Sequence, residues 1–60
     1  MNINTYYSDN RSGNLYYVFH VGLYYYKTKV VIYKSIKAQR EVILVMDLVD
    51  FERKYSEVKK

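Results

Sequence analysis

An uncharged run, Leu15 to Tyr26 (LYYVFHVGLYYY), dominates the hydrophobic pattern of the chain. Its odd positions Leu15, Tyr17, Phe19 and Val21 are all apolar, and its even positions Tyr16, Val18 and His20 are more amphipathic. That alternation is the signature of a strand, and it assigns the odd set to the core. Gly22 interrupts the run. A glycine inside a strand pattern marks a bulge, a sharp bend or a close backbone approach, so the run predicts one long strand bent near its middle and continuing through Leu23 to Tyr26.

The flanking segments predict further strands. Ile3 to Tyr7 is strand-like and stops at Ser8-Asp9-Asn10-Arg11-Ser12-Gly13-Asn14, where the side chains favour local backbone hydrogen bonds and Gly13 admits positive φ. Lys27-Thr28-Lys29 is the expected turn into a strand at Val30 to Ser35, and Ile36 to Gln39 leads to a fourth strand at Arg40 to Met46. Val42 to Met46 is apolar at every position, which predicts burial on both faces and a central or closed place in the sheet.

At Asp47 the period changes. Leu48, Phe51, Tyr55 and Val58 share one helical face, with Asp47 as N-cap and Asp50 three residues on. This predicts a closing helix of two turns or more; a single turn at Asp47 to Phe51 followed by a short strand at Tyr55 to Val58 fits the residue types as well. Short connections imply antiparallel pairing. The expected fold is mainly β, of the α+β kind: a four- or five-stranded bent antiparallel sheet or small open barrel with a short C-terminal helix. Sixty residues make a single domain, which buries only about 60% of its unfolded surface.

Composition narrows the class. The absence of cysteine removes disulfide staples and thiolate metal sites and accords with a cytosolic setting, here the cytosol of a bacterial host. The apolar run is too short and too tyrosine-rich to span a bilayer, and it starts too late for a secretory signal, so no membrane association is expected. Net charge is +4, but the excess is local: Lys27, Lys29, Lys34, Lys37 and Arg40 occur with no acid among them, whereas acids and bases mix from Glu41 onward. Such a patch suits a phosphate backbone or an acidic protein surface, and charge alone does not choose.

Gly13-Asn14-Leu15-Tyr16-Tyr17-Val18, then Val30-Val31-Ile32-Tyr33-Lys34, then Leu48 and Phe51, resemble an uncharacterised family of short β-barrel proteins of bacteria and their phages. Its members carry a Gly-x-x-Tyr-x-Val strand, a Val-Val-Tyr strand and a Pro-Leu-x-x-Phe turn, and the likeness spans residues 13–54. The chain departs from the family where Tyr26-Lys27-Thr28-Lys29 replaces an acidic turn and where a Trp-x-Arg-Pro segment is missing. The resemblance implies a fold and a phage or mobile-element setting, with no activity to carry over.

Catalytic chemistry has little to stand on. His20 is the only histidine and the one candidate general base, for instance in a small ribonuclease, yet no Ser, Asp or Glu is placed to orient it; a half-exposed polar strand residue is the simpler reading. Asp47 and Asp50 with one histidine do not make a four-ligand metal set, and two glycines make no phosphate loop. No cofactor is expected.

The tyrosines carry the remaining signal. Tyr17, Phe19, Tyr33 and Tyr55 are expected in the core. Nine tyrosines and two phenylalanines exceed what so small a core holds, so Tyr6, Tyr7, Tyr16 and part of Tyr24 to Tyr26 are expected at the surface, where tyrosine is favoured in interfaces. The expected binding residues are Tyr24, Tyr25, Tyr26, Lys27, Lys29, Tyr33, Lys34, Lys37 and Arg40. The resulting expectation is a non-enzymatic protein that binds a protein partner, such as an inhibitor of a host defence nuclease. A single-stranded nucleic-acid module using the basic, Tyr-rich hairpin is the alternative. A homodimer is also expected, through an open edge at Ile3 to Tyr7 or Val30 to Ser35.

Overall fold

The computed structural model describes residues 1–24, 28–37, 40 and 42–58. The elements in chain order are β1 (Thr5–Asp9), β2 (Leu15–Tyr24), β3 (Thr28–Ser35), β4 (Ile43–Asp47), α1 (Leu48–Lys54) and β5 (Tyr55–Glu57). The five strands form one open antiparallel sheet in the order β4-β3-β2-β1-β5, so β4 and β5 are the two edges and α1 joins them. A connection between opposite edges has to cross the sheet, and in crossing it covers one face.

The β1–β2 turn is built by side chains of the expected kind. Asp9 Oδ1 accepts from the N–H groups of Arg11 at 2.8 Å and Ser12 at 3.2 Å, and Ser12 Oγ accepts from Asn14 N–H at 3.2 Å. Gly13, at φ +77°, donates its N–H to the Asp9 carbonyl at 2.8 Å, a conformation in which an L side chain is strained. The two N–H donors favour the ionised carboxylate and hold the Asp9 pKa below the usual aspartate value. Ser8 and Asp9 still belong to the ladder, Ser8 opposite both Leu15 and Ser56 and Asp9 opposite Tyr55, so β1 runs two residues beyond the expected strand end.

Register decides which residues enter the core. Val18 pairs with Tyr33, but the next pair is His20 with Ile32, so a bulge sits between Val18 and His20 and not at Gly22, which pairs regularly with Val30. The extra residue resets the alternation. Tyr16 and Val18 face the helix, Phe19 and His20 fall together on the other side, and Val21, paired with Val31, faces the helix again. The expected odd-numbered core face of β2 is therefore corrected: before the bulge the core takes the even positions, and Val18 is fully buried while Leu15 is exposed.

The core is a ring cluster closed by α1. Phe51 is fully buried, with ring centroids 5.2 Å from Tyr7, 5.0 Å from Tyr33 and 4.5 Å from Tyr55, and Tyr16 lies 4.9 Å from Tyr55 and 5.6 Å from Tyr33. Val18 and Val31 complete it, with Val21, Leu44, Met46 and Leu48 packed around. Tyr33 and Tyr55 are buried as expected. Tyr7 and Tyr16, expected at the surface, supply core volume instead, while Tyr17 and Phe19, expected in the core, are half-buried on the opposite face. Their hydroxyls explain how tyrosines can fill it: Tyr33 and Tyr55 hydroxyls approach each other at 3.5 Å, and Asn2 N–H donates to the Tyr7 hydroxyl at 3.3 Å.

Two further expectations change. β4 is an edge strand, not a central one, and Val42, Ile43 and Val45 are all exposed. Of its unbroken apolar run only Leu44 and Met46 pack on the helix side. The C-terminal segment combines both readings, a two-turn helix and then a strand, so α1 does not close the chain. Asp47 occupies the N-cap with extended backbone but makes no side-chain cap hydrogen bond; Asp50 in the first turn and Arg53 and Lys54 in the last complement the helix dipole. The sheet is not closed into a barrel.

Candidate interaction surface

The face of the sheet turned away from α1 is the candidate site. One cross-strand row runs Tyr6–Tyr17–Lys34–Ile43, each pair directly opposite in the ladder of β1, β2, β3 and β4. A second row runs His20–Ile32–Val45, with Phe19 beside it in the bulge. Side chains opposite each other on one face lie close enough to pack, so the rows form a continuous surface. Among the described residues no helix or second sheet lies over it. Val45 is 62% exposed, Ile43 51% and Tyr6 45%, while Tyr17, Phe19 and Ile32 are half-buried by their neighbours.

The rings on this face hold one another. Tyr6 and Tyr17 meet edge to face at 5.2 Å, and Tyr17 and Phe19 at 5.3 Å, so three rings form a chain across β1 and β2. Lys34 Nζ sits 5.4 Å from the centre of the Phe19 ring, where the negative ring face attracts a cation. Phe19 shares the side of Tyr17 by strand alternation, diagonal to Lys34 opposite Tyr17, and the bulge adds His20 to the same side. His20 is exposed, with its ring 3.7 Å from the space a Cβ on Gly22 would fill. Among the described residues no three His, Cys, Asp or Glu side chains gather to hold a metal ion.

The sequence-expected binding residues are not one patch. Tyr25, Tyr26 and Lys27 lie outside the described residues, and Tyr24 ends β2 opposite Thr28. Tyr33 is 3% exposed and belongs to the core, where burial, with the Tyr55 hydroxyl beside it, raises its pKa above the ordinary tyrosine value. Lys34 is on the open face. Lys29 has the opposite parity in β3 and emerges on the helix side, where with Thr28, Asp47, Leu48 and Val49 it lines a shallow pocket of about 340 Å³. Lys37 and Arg40 are exposed in the β3–β4 connection, at one end of β4.

Sequence reasoning placed Tyr6 and Lys34 at the surface and missed Tyr17, Phe19, Ile32, Ile43 and Val45 as surface residues. The open edges expected at Ile3 to Tyr7 and Val30 to Ser35 are also corrected. β3 lies between β2 and β4. β1 is paired with β5 from Tyr7 to Asp9 because α1 carries the chain across to the far side, so of the first expected edge the part before Tyr6 has no β5 partner among the described residues. No family model matches the chain, and comparisons with curated proteins and with solved structures find no match.

Proposed function

We propose that the chain is a non-enzymatic binding protein that docks the open face of its sheet on a protein partner. The observation that carries this reading is the row Tyr6–Tyr17–Lys34–Ile43, with Phe19 and Val45 beside it, on a face that no layer covers among the described residues. Tyrosine and phenylalanine rings that already brace one another lose little freedom on binding and bury large area, which is how interface anchors act. The partner fitted by this surface is a protein with an apolar patch bordered by carboxylates, because Lys34 stands within the face and Lys37 and Arg40 stand at its β4 end. An inhibitor of a bacterial defence nuclease, the role expected from small size and the phage-type resemblance, is one form of this reading.

The test uses the immobilised full chain beside a Tyr6→Ser/Tyr17→Ser variant with matched circular dichroism. A protein bound by the first and at least about tenfold more weakly by the second supports the reading, since central aromatic anchors carry most of an interface's energy. Equal capture by both overturns it. So does tight binding of single-stranded oligonucleotides that collapses with rising salt and disappears in the same variant, the behaviour of a base-stacking platform.

A further inference from the structure

We draw no further inference here: the strongest candidate, the apolar outer edge of β4 with exposed Ile43 and Val45, carries nothing, because nothing in the structure shows what covers it.

Discussion

Phe51→Ala tests whether one side chain joins the helix to the sheet. Phe51 is fully buried and its ring touches those of Tyr7, Tyr33 and Tyr55. Truncating a buried phenylalanine costs about 3–5 kcal/mol through lost burial and the cavity left behind. A 60-residue domain has about 3–9 kcal/mol of stability in all, so the variant is expected to lose at least about a third of it and, toward the low end of that range, to unfold. The loss is not confined locally, because a seven-residue helix has no independent stability and α1 persists only while seated. When it leaves, the helix-side face loses its cover and β5 loses its connection to β4. Phe51→Leu fills much of the volume but forfeits the ring pairings, a cost of about 1–3 kcal/mol, and keeps the fold. Urea unfolding followed by far-ultraviolet circular dichroism and tyrosine fluorescence measures both. A Phe51→Ala protein within about 1 kcal/mol of the parent, with the same denaturant dependence, would refute this account of what holds the two layers together.

Two pH-dependent predictions follow from the hydroxyl and carboxylate geometry. Burial raises the pKa of both Tyr33 and Tyr55 above the ordinary value of 10.0, with their mutual contact as a further influence, so the neutral phenols favour the fold. That contribution is complete below pH 10.0 and is lost as pH rises toward the folded values, because the unfolded chain ionises first. In an ultraviolet titration these two are expected to ionise late and together with the loss of circular dichroism; ionisation of all nine tyrosines in one early phase with the fold intact counts against the buried pair. Asp9 has the opposite sign: its lowered pKa gives stability present above 3.8 and lost as pH falls through the folded value. Asp9→Asn, which keeps an acceptor for Arg11 and Ser12, is expected to remove that acid dependence while lowering Tm by less than Asp9→Ala, and equal effects of the two would show that the turn does not rely on these hydrogen bonds.

The chain by itself determined the local conformations. Alternating residues made β2, the β-branched and aromatic run Val30 to Tyr33 made β3, the Asp9 to Asn14 cluster made the first turn, and the change of period at Asp47 made α1, because each depends on neighbours within a few residues. The choice of faces and edges did not lie at that range. No glycine or proline marks the bulge after Val18, which lets β2 present both Val18 and Val21 to the helix side and turns His20 outward beside Tyr17 and Phe19, the residues that alternate with Val18. The apolar run at Val42 to Met46 has the residue types of a central strand, yet α1 carries the next strand to the far side of the sheet and leaves β4 at the edge. Tyr33 and Lys34, adjacent in sequence, lie on opposite sides of one strand by its alternation, and the position of α1 makes the Tyr33 side the core and the Lys34 side the open face. Local patterning decides which segments are strands. Only the pairing order and the position of the covering helix decide which of their faces meets water, and the candidate surface is what that covering leaves exposed.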